Sequence, residues 1–319
     1  MSVLSSDLAP EMAALMERMA REDGPQPDPT TLPPTEGRAL AEAGNRRWNV
    51  DMPEMAERAE AFVPADPALG SARTRLLVLV PPGAREGAIL FVHGGGFAFC
   101  SPETHERCAR VLAAETGLPV VLPDYRLAPE HPFPAGLLDV VATWRGLFEA
   151  TRALGLREGP LVLAGDSAGA GLCLSALLHE AGRRQADAAL LFYGVYAADF
   201  ETEAYRTFAD GPGLTRGKMQ RYWDFYLKDA SARADPLASP ALAGEAALRA
   251  LPPLHLMAAG VDPLLGDSLD LERRLQALGR PERLEIVPGV VHGFLQMTNE
   301  LPQAREALGR AAQFVRGLI

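Results

Sequence analysis

The chain of 319 residues is 48% hydrophobic and 23% charged, a balance typical of globular proteins with enough apolar material for a buried core. Its 31 basic and 41 acidic residues give a net charge of −10, which repels phosphate backbones and anionic membranes and argues against nucleic acid as a partner. The three cysteines and six histidines have no paired spacing of the kind that builds a zinc site, and we expect neither a metal nor a cofactor.

The N-terminal segment carries a helical stripe and acidic residues, whereas a signal peptide would have a basic start followed by an uninterrupted apolar stretch. No run of about 18 apolar residues occurs, so the sequence predicts no stable insertion into a membrane. Together with the odd number of thiols, these features predict a mature cytoplasmic protein.

Short apolar segments alternate with helical patterns from Thr74 onward. The predicted strands are Arg75–Val80, Ala88–Val92, Val120–Pro123, Leu161–Ala164, Ala188–Tyr193, Leu254–Ala259 and Leu284–Val287. The predicted helices between them include Leu137–Ala150, Leu172–Glu180 and Ser268–Leu278. This alternation predicts an α/β protein with a mostly parallel sheet that is covered by helices on both faces.

Two segments do not follow this alternation: residues 1–60, which include a proline-rich linker, and residues 196–245, which contain an aromatic helical run. Both carry bulky apolar side chains at helical spacing, namely Met12, Leu15, Met16 and Met19 in the first, and Met219, Tyr222, Trp223 and Tyr226 in the second. We predict a single domain in which these segments form a cap over a catalytic core at about 70–195 and 246–319. Packing into the core, or a contact between the subunits of a homodimer, would account for the same apolar faces.

The pentapeptide G-D-S-A-G at 165–169 lies between the predicted strand Leu161–Ala164 and a helical pattern. A serine in this context forms a nucleophile elbow, in which side chains at the flanking glycine positions would collide with neighbouring backbone. The free N–H groups and the dipole at the start of the helix favour negative charge beside Ser167. We therefore predict Ser167 as a nucleophile and the Ala168 N–H as an oxyanion donor. The alternative is that Ser167 only caps a helix.

A second glycine cluster, H-G-G-G-F at 93–97, follows the predicted strand Ala88–Val92. Such a segment can bring backbone N–H groups close to a substrate carbonyl oxygen, an approach that side chains would prevent. It matches neither of the glycine patterns that bind phosphates in nucleotide sites, which disfavours nucleotide binding. We predict Gly95 and Gly96 as oxyanion donors and His93 as a residue that orients their loop.

An activated serine needs a base within hydrogen-bond reach, and in proteins with a nucleophile elbow the chain order is serine, then aspartate or glutamate, then histidine. Only His255 and His292 follow Ser167 beyond its own helix. His255 lies in an apolar strand pattern, where a buried core histidine is expected. His292 directly follows the last predicted strand, where parallel sheets present functional residues. We predict His292 as the general base.

Two aspartates compete for the role of orienting acid. Asp262 follows the predicted strand Leu254–Ala259 and would share a sheet edge with Ser167 and His292. Asp267 lies where a helix begins and is explained by capping that helix, so we predict Asp262 as the acid. The remaining candidates have ordinary explanations, with His179 near a helix end, His105 and His131 in polar loops, and Cys173 as a small core residue.

Four motifs in this order, at 93–96, 165–169, 262–264 and 292–294, resemble those of the bacterial hormone-sensitive-lipase-like esterases, and so does D-Y-R-L-A-P-E at 124–130. The resemblance covers roughly residues 70–319 and implies an α/β-hydrolase fold with a helical cap and hydrolysis of short-chain carboxylic esters. Carried over residue by residue, it implies a triad of Ser167, Asp262 and His292 with the oxyanion donors Gly95, Gly96 and Ala168.

The sequence departs from this family at two positions close to the predicted site. Ala170 stands where a third glycine after the serine is frequent, and Gly266 stands where an acidic residue often follows the Asp-Pro-Leu motif. Neither departure changes a member of the predicted triad. We expect Ala170 to narrow the space at the elbow and Gly266 to loosen the support of the Asp262 loop.

Together these features predict a serine carboxylesterase that hydrolyses small-molecule esters of short to medium acyl length through an acyl-enzyme intermediate. An amidase or deacetylase would use the same triad, because the shape of the pocket selects the leaving group. A non-catalytic ligand-binding protein on a hydrolase scaffold is a third alternative, since a fold does not dictate function, but all three triad positions are filled.

Overall fold

A computed structural model describes residues 4–183 and 186–318 of the chain. In this part of the chain, eight strands form one sheet. The strands are β1 (Glu57–Val63), β2 (Thr74–Val80), β3 (Ala88–Val92), β4 (Val120–Pro123), β5 (Leu161–Asp166), β6 (Ala188–Phe192), β7 (Leu254–Val261) and β8 (Leu284–Val291).

The strand order across the sheet is β1-β2-β4-β3-β5-β6-β7-β8. All neighbours from β4 to β8 are parallel, whereas β2 runs antiparallel to both β1 and β4. Val92 at the end of β3 pairs with Gly165 near the end of β5, and β6, β7 and β8 continue in the same direction. The loops that follow these strands therefore meet at one edge of the sheet, where α/β proteins place their ligand sites.

The helices enclose this sheet. They are α1 (Pro10–Asp23), α2 (Pro34–Asn45), α3 (Glu106–Thr116), α4 (Ala135–Thr151), α5 (Ala168–His179), α6 (Glu203–Thr207), α7 (Arg216–Tyr226), α8 (Glu245–Arg249), α9 (Leu265–Ala277) and α10 (Pro302–Leu318). Among the described ranges, none of these helices combines the length and the apolar composition that crossing a membrane requires.

The core consists of two apolar layers, one on each face of the sheet. Leu90 and Val92 of β3 belong to the layer that holds α4 and α5, whereas Ile89 and Phe91 belong to the layer that holds α3 and α10. Successive side chains of a strand point to opposite faces, so a central parallel strand that is covered on both sides is apolar throughout. This explains why β3 and β5 have near-continuous hydrophobic sequences.

The surroundings of helices α5 and α10 account for the distribution of apolar residues along each of them. Helix α5 lies between the sheet and α4 and is apolar on nearly all sides, because almost no part of it faces water. Helix α10 is amphipathic, and its buried residues recur at spacings of three and four along one face: Ala304, Ala307, Leu308, Ala311, Ala312 and Val315.

All seven predicted strands are confirmed, and three of them extend further toward the site, with β5 ending at Asp166, β7 at Val261 and β8 at Val291. The eighth strand, β1, was not predicted; it begins at the end of the segment 1–60, where we predicted helical patterns, and continues beyond it. It is an edge strand with charged, exposed residues at its start and only Ala61 and Val63 buried, so its sequence lacks the apolar run of a central strand.

The two segments outside the alternation contribute to the core as well as to the site. Met12 and Leu15 of α1 are buried in the layer near β8, and the Ala9 N–H donates to the Gly289 carbonyl at 2.9 Å. Met219, Trp223 and Tyr226 of α7 are buried in the opposite layer. Packing into the core therefore accounts for much of both apolar faces.

Candidate active site

Ser167 occupies a sharp turn between β5 and α5. Its backbone has φ 53° and ψ −124°, a combination that residues with side chains rarely adopt. A Cβ atom on Gly165 would lie 2.7 Å from the Gly169 carbonyl, and one on Gly169 would collide with the Val92 carbonyl oxygen. The two glycines of the pentapeptide are therefore required by close backbone approach, as the elbow pattern predicts.

Three side chains from three strand ends meet at this turn. Nε2 of His292, directly after β8, lies 2.9 Å from the Ser167 hydroxyl oxygen, and Nδ1 of His292 lies 2.7 Å from Oδ2 of Asp262, directly after β7. Asp262 is fully buried, and its other oxygen accepts the Leu264 N–H at 2.9 Å. With Nδ1–H donating to this carboxylate, Nε2 is left to accept the serine proton.

The glycine cluster lies across the turn from His292. Gly95 and Gly96 have φ angles of 120° and 59°, and the Gly95 carbonyl accepts the Phe99 N–H at 2.9 Å. Both glycines line the same cavity as Ser167 and His292. Within residues 4–183 and 186–318, the hydrogen bonds include no acceptor for the N–H groups of Gly95, Gly96 or Ala168. These three donors are therefore available to a bound oxygen atom.

His93 is buried under the glycine cluster. Its Nδ1 lies 2.8 Å from the Gly94 carbonyl oxygen, and its ring stacks on Tyr125 at a centroid distance of 4.4 Å. The Tyr125 hydroxyl donates to the His93 carbonyl at 2.8 Å. Burial and, to a smaller extent, the nearby His105 lower the pKa of His93 to about 3, so the ring is neutral near neutral pH. These contacts match the predicted role of a loop-orienting residue.

The prediction that His105 lies in a polar loop is wrong. It ends a short 3-10 helix, Glu103–His105, and only 3% of the residue is exposed. Its Nε2 lies 3.2 Å from Oδ1 of Asp166, the residue that precedes Ser167. The acidic residues that flank His105 in the sequence suggested a solvated loop, and no local pattern distinguishes a histidine that turns inward.

The prediction that Asp267 caps a helix is also wrong. Helix α9 begins two residues earlier, and Asp267 is buried in its first turn. One carboxyl oxygen accepts the N–H groups of Tyr196 at 3.0 Å and Ala197 at 2.9 Å, where the chain leaves the sheet after β6. Burial raises the pKa of Asp267 to about 8. The carboxyl that contacts His292 is that of Asp262.

The other candidates lie away from the triad. His255 on β7 is mostly buried between the Phe192 and Phe314 rings, and burial lowers its pKa to about 4. The Cys173 thiol is buried, donates to the Ala164 carbonyl at 3.2 Å and has a raised pKa because of burial. His179 contacts Glu180, and His131 is exposed in a loop.

A cavity of about 330 Å³ opens in front of Ser167 and His292. Its walls combine the sheet edge with both segments outside the alternation. The N-terminal segment contributes Met19, Asp23, Ala41, Gly44, Asn45, Arg47 and Trp48, and the segment after β6 contributes Leu214, Met219 and Tyr222. The Tyr222 ring packs so closely on Gly96 that a Cβ atom at this position would collide with it.

In the described ranges, no group of three or more His, Cys, Asp or Glu residues is arranged to hold a metal ion.

The two departures from the family pattern have different surroundings. Ala170 is fully buried in the first turn of α5. A Cβ atom on Gly266 would lie 2.5 Å from the Thr202 hydroxyl oxygen, and Thr202 caps the start of α6. Gly266 therefore allows Thr202 and the start of α6 to pack closely against the first turn of α9.

The sequence profile of a family described as an alpha/beta hydrolase fold matches residues 89–296. An ester-hydrolase from the metagenome of Lake Arreo, solved with a derivative of bipyridine phosphonate, is 31% identical over 97% of this chain and 98% of that chain, with a TM-score of 0.87. A thermostable esterase from Pseudomonas putida is 28% identical over 98% of both chains, with a TM-score of 0.88. A hyperthermophilic esterase from the archaeon Pyrobaculum calidifontis is 27% identical over 98% of both chains, with a TM-score of 0.86.

Proposed function

Since the chain belongs to the hormone-sensitive-lipase-like esterases of the α/β-hydrolase fold, we propose that it hydrolyses carboxylic esters through Ser167, His292 and Asp262. The observation that carries this proposal is the continuous pair of contacts from Ser167 Oγ to His292 Nε2 at 2.9 Å and from His292 Nδ1 to Asp262 at 2.7 Å. Membership of an esterase family sets aside the alternative of a ligand-binding protein without activity.

The reaction begins when Ser167 Oγ attacks the ester carbonyl carbon while its proton moves to His292 Nε2. The imidazolium that forms is stabilised by the Asp262 carboxylate, and it then gives the proton to the oxygen of the leaving alcohol. Collapse of the tetrahedral intermediate leaves an acyl group on Ser167. A water molecule repeats the attack with His292 as base, which releases the carboxylic acid and restores the serine.

We assign the oxyanion site to the N–H groups of Gly95, Gly96 and Ala168. The carbonyl oxygen becomes negative in each tetrahedral intermediate, and donors that are already in place stabilise this charge without reorganisation. The positive end of α5, which starts at Ala168, acts in the same direction. Loss of one such donor typically costs about 3 kcal/mol, or more than a hundredfold in rate.

We propose further that the N-terminal segment and the segment after β6 form the cap predicted from the sequence, and that this cap limits the acyl chain. The cavity of about 330 Å³ is at the small end of ligand sites, and apolar side chains such as Met19, Met219 and Tyr222 line it. Each methylene that fits gains about 0.8 kcal/mol, until the wall is reached and overpacking opposes further growth. Short to medium acyl chains are therefore the expected substrates.

The proposal is tested with p-nitrophenyl esters from acetate to palmitate and with the matching anilides. The wild-type enzyme is compared with Ser167→Ala and with Ser175→Ala, which alters a buried serine on the same helix outside the cavity wall. We expect Ser167→Ala to lose ester hydrolysis and Ser175→Ala to retain it. Activity that survives in Ser167→Ala would refute the proposal. Faster cleavage of anilides than of esters would favour the amidase alternative.

A further inference from the structure

The proposed mechanism leaves one buried carboxylate of the site without a role. Asp166, the second residue of the G-D-S-A-G turn, is 3% exposed and lies between the nucleophile and the glycine cluster. Its Oδ1 accepts the Gly94 N–H at 2.9 Å. Burial raises the pKa of Asp166, but the facing His105 and the Gly94 N–H together outweigh this effect and hold it below its usual range.

His105 contacts the same carboxylate and approaches both of its oxygens. Its Nε2 lies 3.2 Å from Asp166 Oδ1, and its Nδ1 lies 2.8 Å from the Thr104 hydroxyl oxygen. The Thr104 hydroxyl donates to the Ser101 carbonyl at 2.7 Å, which fixes the position of its oxygen beside the ring. Both ring nitrogens of His105 therefore have partners, and its orientation is set on both sides.

These contacts anchor the peptide that precedes the oxyanion donors. The Gly94 N–H is held by Asp166, and the turn is closed at its other end by the Phe99 N–H, which donates to the Gly95 carbonyl. A Cβ atom on Gly94 would lie 2.7 Å from Asp166 Oδ2, so the carboxylate and the backbone are already in close contact. The donors of Gly95 and Gly96 follow directly, and small displacements of such donors weaken an oxyanion site strongly.

We propose that Asp166 and His105 are positioning residues that act through the Gly94 N–H to aim the Gly95 and Gly96 donors at the oxyanion. The inference rests on the proposed function, because it needs Ser167 as the nucleophile. It makes a prediction of opposite sign to simple electrostatics. An isolated carboxylate beside the oxyanion would repel it, so removing the charge would raise the rate. Positioning predicts that removing the charge lowers the rate.

Asp166→Asn and His105→Gln are the test variants, alone and together, and Asp166→Ala is added because an asparagine oxygen could still accept the Gly94 N–H. Asp187→Asn is the matched control, because Asp187 accepts the Leu161 N–H at 2.8 Å at the opposite end of the same strand, β5. The readouts are kcat and KM on a short-chain ester, and the inhibition constant of a trifluoromethyl ketone, which places an oxyanion in the site. Melting temperatures record any change in folding.

For each single variant we expect kcat to fall about ten- to a hundredfold, with KM changed less than about threefold and ketone affinity reduced in parallel with kcat. The kcat of the double variant should be close to that of the less active single variant, because both changes disrupt one network. Asp187→Asn should keep kcat and ketone affinity. If Asp166→Asn does not fold, His105→Gln decides alone, since it leaves the elbow sequence intact.

An unchanged or raised kcat in the folded single variants, or a change in KM alone, would overturn the positioning role. So would a loss of kcat without any loss of ketone affinity. Each of these results leaves the proposed function intact as long as Ser167→Ala is inactive. Failure of the proposed function is recognised separately, by activity that persists in Ser167→Ala.

Discussion

Asp262 Oδ2 lies 2.7 Å from His292 Nδ1, while the second oxygen of Asp262 accepts the Leu264 N–H at 2.9 Å. Asp262 is fully buried, so both oxygens are committed and the carboxylate has a single orientation. An acceptor at this point requires the proton of the neutral imidazole to lie on Nδ1. The identity of one buried side chain therefore sets which nitrogen of His292 carries the proton, and so leaves Nε2 free to accept the proton of Ser167.

Asp262→Asn tests this relationship. The amide oxygen would keep the Leu264 N–H, and the amide NH₂ would then face His292 Nδ1 and force the proton onto Nε2. Nε2 could no longer accept the serine proton, and we expect kcat to fall by about 10⁴-fold. The measurement is steady-state kinetics together with a melting curve, and Asp267→Asn serves as the control. A large loss of kcat in Asp267→Asn with little change in Asp262→Asn would transfer the role to Asp267.

The raised pKa of Asp267 predicts that the stability of the fold depends on pH. Its pKa is about 8 in the folded chain and about 4 in the unfolded chain. Between these values the unfolded state loses the proton while the folded state keeps it, so the free energy of unfolding falls as pH rises from about 4 to 8. Asp267→Asn keeps an acceptor for the Tyr196 and Ala197 N–H groups without this titration. Its melting temperature relative to wild type should therefore rise with pH, and a pH-independent difference would contradict the assignment.

His255 predicts a loss of stability in acid. Burial holds its pKa at about 4, below the value of about 6.5 in an unfolded chain. The neutral ring therefore stabilises the fold above pH 6.5, and this contribution is lost as pH falls toward 4. His255→Phe keeps a ring between Phe192 and Phe314 and removes the titration. Urea unfolding at several pH values should show a smaller acid-induced decrease in the variant, with kcat unchanged. An identical decrease would assign the acid sensitivity to other groups.

We expect Tyr222 to limit the length of the acyl chain of the substrate, because its ring packs on Gly96 and lines the cavity. Tyr222→Ala should shift the kcat/KM profile toward longer p-nitrophenyl esters, by about fourfold for each additional methylene that the enlarged site accepts. Phe225→Ala on the same helix is the matched control, since Phe225 does not line the cavity. Identical chain-length profiles for both variants and the wild type would show that α7 does not limit the length of the acyl chain.

Deleting residues 1–35 is a less selective experiment, because it also removes Met12 and Leu15 from the core.

Much of the fold and the candidate site could be predicted because the relevant signals are local. The apolar runs of β3 and β5 are typical of strands buried on both faces, and the glycines around Ser167 are required wherever backbone segments touch. His292 and Asp262 could be placed together because parallel neighbouring strands end at one edge.

The rest depended on tertiary contacts. The exposed, charged start of β1 has no apolar run, and pairing with β2 determines that it is a strand. The burial of His105 and Asp267 depends on residues far away in the chain, since Asp166 faces the first and the backbone after β6 faces the second. No sequence window that contains only one partner could reveal these contacts.

The most direct test of Ser167 as the nucleophile is peptide mapping by mass spectrometry after reaction with a serine-directed phosphonate. We expect one adduct per chain, located on Ser167, with ester hydrolysis lost in proportion to labelling and with slow labelling of His292→Ala because the base is missing. An adduct on another residue, or full ester hydrolysis by a chain labelled completely at Ser167, would contradict the proposed triad.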